Sequence, residues 1–296
     1  MRSFEGTVLF VDMLGFSALT RGMLRLDEEH CRPWKVDAGG ASPHQLLAAK
    51  ILLAFRKTLL ATKKTHQDVK VAQLSDCAFL WSEEAGAVID AGRHLMHEAA
   101  LSGLLCRGGL ASGSVHEPDK VNRSLGAFIV GDAVTRAATY ESAGKGMRVF
   151  TDTETADQVM QARRYERFQP LVNPLTGDTV DEWQWYALPA SLRRERDVKK
   201  VGEAVERLVG CHAMLRYSPK LAWSATSPEG RRQIACSIAA ASNAMEELSG
   251  QTGNYGFSVE QLLVADQQRG DEVCRRIKKQ FTEELVAAVK REQGKR

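Results

Sequence analysis

The hydrophobic pattern alternates between stretches of period two and stretches of period three to four. A short β-branched apolar run from Thr7 to Val11, closed by Asp12 and Gly15, predicts a buried strand entering a turn. After a polar stretch containing Pro33, Gly39, Gly40 and Pro43, apolar residues recur three and four apart from His44 to about Ala61, predicting an amphipathic helix. Val69 to Trp81 predicts two strands bent near Ser75 and Asp76, Ala85 to Leu101 a second helix, and Cys106 to Val115 a strand of small residues. Gly126 to Val130 leads into a helix over about Asp132 to Ser142, and Met147 to Thr151 predicts a further strand. Phe168 to Val172 and Val180 to Leu188 flank Asn173-Pro174-Leu175-Thr176-Gly177-Asp178, a hairpin signal.

The order β, α, β, β, α, β, α, β and a closing hairpin predicts an α+β sandwich over residues 1–190, with helices on one sheet face. From Ser191 the pattern turns helical, over Arg193 to Leu215, Ser227 to Leu248 and Ser258 to Lys290, predicting a C-terminal helical extension over residues 191–296.

Composition narrows the function classes. With 296 residues and 44% hydrophobic content, the chain has enough apolar surface for a substantial core plus a subdomain. No run of 18 apolar residues occurs and no basic-then-apolar leader opens the chain, so a cytoplasmic location is expected, with no membrane partner. Six scattered cysteines without a CxxC pair predict reduced thiols rather than a zinc site. A formal charge of +3 gives no reason to expect nucleic acid, although the last twenty or so residues are locally basic.

Three windows carry candidate chemistry. In Val8 to Ser17, a carboxylate at the end of a buried strand needs a compensating charge. Asp12 therefore reads equally as a turn cap or as a ligand for a divalent cation. Past it, the amides of Leu14, Gly15, Phe16 and Ser17 are placed to face phosphate oxygens at a helix start. In Gln73 to Leu80, Asp76 sits in a bend between two apolar strands. Alone it is a common turn aspartate, but beside Asp12 it makes a carboxylate pair able to hold two metal ions. In Cys106 to Gly113, Arg107 opens a small-residue strand, and its guanidinium fork suits a triphosphate.

Together these windows resemble the catalytic domain of class III adenylate and guanylate cyclases, over about residues 5 to 188. That family carries Phe-x-Asp-Ile-x-Gly-Phe, a hairpin Gly-Asp, Arg-x-Gly-Ile-x-x-Gly and a later Gly-x-x-Val-Asn-x-Ala-x-Arg. The counterparts here are Phe10 to Phe16, Ser75-Asp76, Arg107 to Gly113 and Gly131 to Thr139. The resemblance implies a ferredoxin-like class III cyclase sandwich. It also implies two divalent ions, Mn²⁺ or Mg²⁺, on Asp12, Asp76 and the Met13 carbonyl, with Arg107 on phosphate. A head-to-tail homodimer with composite active sites is implied as well.

The departures concern the substrate. Where adenylate cyclases carry a lysine and an aspartate that read the purine, this sequence has Ala72 and Phe128, so adenine recognition by that pair is not expected. The helix asparagine and arginine slots fall on Thr135 and Thr139, with Arg136 one position away as a candidate replacement. No basic residue occurs from Gln169 to Leu188, so the hairpin lysine of the family is also missing. Retained metal aspartates with altered purine positions resemble the bacterial pyrimidine cyclases of the Pycsar anti-phage system. That resemblance implies conversion of UTP to cyclic UMP and pyrophosphate in antiviral defence. The alternatives are a cytidylate cyclase using CTP, or a degenerate homologue that binds nucleotide without turnover. Trp34, in the insertion after Leu19, reads as a base-stacking residue or as packing under a loop.

Overall fold

Strand β1 (Arg2–Met13) is the spine of the sheet, pairing antiparallel with β3 (Cys77–Ser82) on one side and β4 (Cys106–Glu117) on the other. The computed structural model describes residues 1–120, 127–172, 177–188, 197–213 and 228–249. Within them the protein is an α+β fold around one seven-stranded sheet, ordered β2-β3-β1-β4-β5-β7-β6. The outer strands are β2 (Lys70–Leu74), β5 (Val149–Thr151), β6 (Phe168–Val172) and β7 (Thr179–Trp183). All neighbours are antiparallel except β4 and β5.

Period-two alternation divides β1 between two cores. Leu9, Val11 and Met13 enter the larger one, against Leu47, Ile51 and Phe55 of α3 (Pro43–Thr65) and Val88, Ile89, Leu95 and Met96 of α4 (Ala85–Leu101). Val8 enters a smaller core with Trp81, Ala111 and Val115, capped by Ala133 and Ala137 of α5 (Asp132–Glu141). The helices are therefore not confined to one face as the element order suggested: α5 lies opposite α3 and α4. Asp12 lies an even number of residues from Val8, so it shares the α5 face.

The strand does not stop before Asp12. Asp12 pairs with Cys77 on one side and Arg107 on the other, and the pairing with β4 continues past it through Met13 and Cys106, which carries β1 on to Met13. Helix α1 (Phe16–Thr20) forms at the expected helix start, and the insertion after Leu19, expected as a polar stretch, forms α2 (Glu28–Cys31) and a 3₁₀ turn at Arg32–Trp34. Trp34 packs against the larger core, and its carbonyl accepts from Lys50 Nζ at 2.7 Å, so it takes the packing role. Helix α6 (Thr153–Ala162) was not expected. It starts where the Asp152 carboxylate accepts from the Thr155 amide at 2.7 Å, and it buries Ala156 and Val159.

Beyond the sheet, α7 (Val198–Ala213) and α8 (Pro228–Ser249) form within the two expected helical stretches. The third, Ser258 to Lys290, lies outside the described residues, as does Cys274. Val201, Val205, Leu208 and Cys211 of α7 are buried, and Arg207 ion-pairs with Glu98 of α4. Ala240, Ala241 and Ala244 of α8 join the larger core. Among the described residues no helix is long and apolar enough to cross a membrane.

Candidate active site

Three adjacent strands bring the candidate residues to one end of the sheet. Asp12 lies across from Cys77 on one side and Arg107 on the other. Asp76 occupies the β2–β3 turn, where Ser75 takes a left-handed conformation (φ 57°), and its carbonyl accepts from the Met13 amide at 3.1 Å. The sequence-predicted pair of carboxylates is thus brought together by ordinary strand pairing.

Helix α5 supplies a fourth member that sequence reasoning left without a role. Glu141, the last residue of α5, is 8% exposed and ion-pairs with Arg107 Nε. The two atoms face each other in the buried interior without a well-aligned hydrogen bond. Arg107 also reaches Asp12, Nη2 to Oδ2, at 3.6 Å. The close approach depends on Gly109: a Cβ there would stand 2.0 Å from the Ala137 carbonyl oxygen and 2.5 Å from the Glu141 amide nitrogen. Because both atoms are backbone, Gly109→Ala must lift α5 off β4. Urea unfolding should show a loss of about 1–3 kcal/mol. An unchanged midpoint would refute this account of how Glu141 is seated.

Electrostatically the site has more negative charge than the arginine offsets. Burial pushes the Asp12 carboxyl up to about 7; Glu141 and Asp76 push the same way, while Arg107 opposes them. Glu141 is also raised, first by burial, against the pull of Arg107 and Lys145. The Cys77 thiol rises to about 11 through burial and then the fields of Asp12, Asp76 and Glu141, which makes it an unreactive neighbour rather than a nucleophile. A divalent cation is the charge such a site lacks, and the oxygens of Asp12, Asp76 and the Met13 carbonyl are hard donors suited to Mg²⁺ or Mn²⁺. Among the described residues no cluster of three or more Asp, Glu, His or Cys is arranged to hold a metal by itself, so substrate oxygens and water would complete the shell.

The other expected residues divide. Gly15 is left-handed (φ 79°) and opens α1 without a side-chain cap, leaving Phe16 and Ser17 at the helix start. The Leu14 amide is not available to a phosphate, because it donates to the Leu105 carbonyl at 2.8 Å. Thr135 and Thr139 are exposed on α5, and their hydroxyls donate back to Gly131 and Thr135 carbonyls at 3.3 and 2.9 Å. Arg136 turns away from Asp12: it pairs with Asp132 at 2.7 Å and Asp152 at 3.0 Å and donates to the Ser112 carbonyl. Ser112 lies five residues along β4 from Arg107, roughly 17 Å at strand rise. Within one chain Arg136 therefore ties α5 to β4 and α6 and does not approach Asp12. Ala72 pairs with Phe79, whose ring lies 4.7 Å from that of Phe10, and Phe128 is 53% exposed.

No family model matches the sequence, and no curated protein matches it. Solved structures do. The adenylyl cyclase CyaB from P. aeruginosa is 14% identical with a TM-score of 0.44, over 62% of this chain and 95% of that one. The guanylate cyclase domain of RhGC from Catenaria anguillulae, solved with GTP, is 17% identical with a TM-score of 0.43, over 62% and 97%. A bacterial light-regulated adenylyl cyclase is 14% identical with a TM-score of 0.42, over 70% and 100%. A likeness of this depth assigns no activity, substrate or assembly to this chain.

Proposed function

We propose that the chain is a nucleotidyl cyclase acting on a pyrimidine nucleoside triphosphate, UTP in preference to CTP. The convergence of Asp12, Asp76 and Arg107 at one sheet end carries the reading. Divalent cations held there supply charge neutralisation for phosphoryl transfer and activation of a ribose hydroxyl. The chain's own residues do the rest. Asp12 and Asp76 hold the cations with the Met13 carbonyl, Arg107 turns from Glu141 toward phosphate oxygens, and Phe16 and Ser17 offer amides at a helix start. Ala72 and Phe128 place no hydrogen-bonding side chain where a purine would be read, which supports a pyrimidine.

The same reading includes a homodimer. Thr135 and Thr139 point outward from α5, and the α5 side of β1, β3 and β2 leaves Phe4, Phe10, Ala72 and Phe79 only partly covered. A second copy on that face would bring the α5 threonines toward a site to which they cannot turn in their own chain. The reading extends to the product as a messenger in antiviral defence, which the resemblance to pyrimidine cyclases implies.

A second reading, a nucleotide-binding protein without turnover, draws support from Arg136, whose three partners leave α5 with no cation for a transition state. Incubation with each of the four nucleoside triphosphates and Mn²⁺, followed by chromatography, separates the two. Cyclic UMP as the main product is expected. Cyclic AMP alone would overturn the pyrimidine assignment, and no cyclic product from folded dimer would leave the binding reading.

A further inference from the structure

The turn between α5 and β5 has two buried amides, Gly146 and Met147, and both find partners about ninety residues away. Gly146 N–H donates to Gln233 Oε1 at 2.6 Å and Met147 N–H to Ser237 Oγ at 2.9 Å. Ahead of them, Lys145 Nζ pairs with Glu229 at 2.9 Å. Glu229, Gln233 and Ser237 are spaced four apart on α8, so one helix face grips three consecutive turn residues. The grip is braced internally: Gln233 Nε2 donates to Glu229 at 3.0 Å and Ser237 Oγ to the Gln233 carbonyl at 2.9 Å. It is also close, since a Cβ on Gly146, at φ 84°, would stand 2.7 Å from the Ser237 amide nitrogen.

Both ends of this turn lead to Arg107. Upstream, Lys145 lies four positions after Glu141, the ion-pair partner of Arg107, and the Lys145 charge acts on the Glu141 carboxyl. Downstream, the Arg148 carbonyl accepts from the Gly108 amide at 3.0 Å, one residue beyond Arg107. The backbone that carries Arg107 and the helix that carries its counter-ion are thus both anchored at the segment that α8 holds.

We propose that α8 is a positioning element for the phosphate-binding arginine, with Gln233 and Ser237 fixing the 145–147 turn and through it the Arg107–Glu141 pair. This rests on the cyclase reading for its catalytic consequence but not for its structural one. The test uses the full chain carrying Gln233→Ala and Ser237→Ala, with Gln233→Ala alone as the milder variant should the double one be too unstable to purify. Amide exchange at Gly108 and in the last turn of α5 should quicken, and the Arg107 Nε–H resonance should shift. The KM for the cyclised nucleotide should rise about tenfold, with a smaller change in kcat. Faster exchange confined to Gly146 and Met147, with the arginine resonance unmoved, would overturn the proposal; so would an unchanged KM. If the wild-type chain cyclises nothing, the function fails, while exchange and resonance still decide what α8 does.

Discussion

In the absence of metal, Asp12→Asn is expected to make the protein more stable above pH 7, and in its presence to cut turnover sharply. The Asp12 carboxyl ionises near 7 in the fold, against an ordinary value of 3.8. A raised folded-state value means that its contribution to stability is fully present below about pH 4 and is lost as pH climbs through about 7. Asparagine has no such titration, so the variant should gain on the wild type across that window. Water and Arg107 screen part of the cost, so a gain of about 1–2 kcal/mol at pH 8 is expected. Mn²⁺ should reverse the order by stabilising the wild type and leaving the variant unmoved. Thermal unfolding at pH 4, 6 and 8, with and without Mn²⁺, reads all of this. A stability difference that does not grow with pH would remove the charge argument. Turnover should fall roughly 10³-fold in Asp12→Asn and in Asp76→Asn, since each removes charge organised for the transition state. Wild-type-like turnover in either would sink the two-carboxylate site.

Why these two carboxylates were legible is a matter of strand geometry. Val8, Phe10 and Asp12 alternate with Leu9, Val11 and Met13 of the larger core, and a hairpin that pairs with β1 in this register brings its turn beside the end of that strand. Local pattern thus indicated the strands and the neighbourhood of Asp12 and Asp76, while Arg107 joins them through the long-range pairing of β1 with β4. Glu141 was not legible as a site member because its place depends on the height of α5 above β4, which is set by the missing Cβ of Gly109. That Arg107-Gly108-Gly109 run was the available signal, since two glycines in a strand mark close approach of another backbone. The partners of Arg136 within the chain were not legible for a related reason. Its spacing on the helix said nothing of Asp152, which arrives from α6, an element that the sequence pattern did not reveal.

Ending the chain at Ala190, the expected domain boundary, should cost far more than any single site substitution. Without α7 and α8, the buried contacts of Val201, Val205, Leu208, Cys211, Ala240, Ala241 and Ala244 disappear, opening the larger core from that side. The amides of Gly146 and Met147 lose their partners in the interior, at about 1–3 kcal/mol each if left unpaired. Set against a net stability of about 5–15 kcal/mol for an ordinary domain, these losses are enough to unfold it. The truncated chain should lack a cooperative thermal transition and elute as aggregate, whereas Asp12→Asn should elute as the wild type does. A truncated chain melting within a few degrees of the full one would mean that residues 191–296 are separable after all. The fastening of α8 to the 145–147 turn would then be too weak to hold Arg107 in place. Stability of the fold and geometry of the site meet at the same two hydrogen bonds, so the truncation and the α8 substitutions must agree.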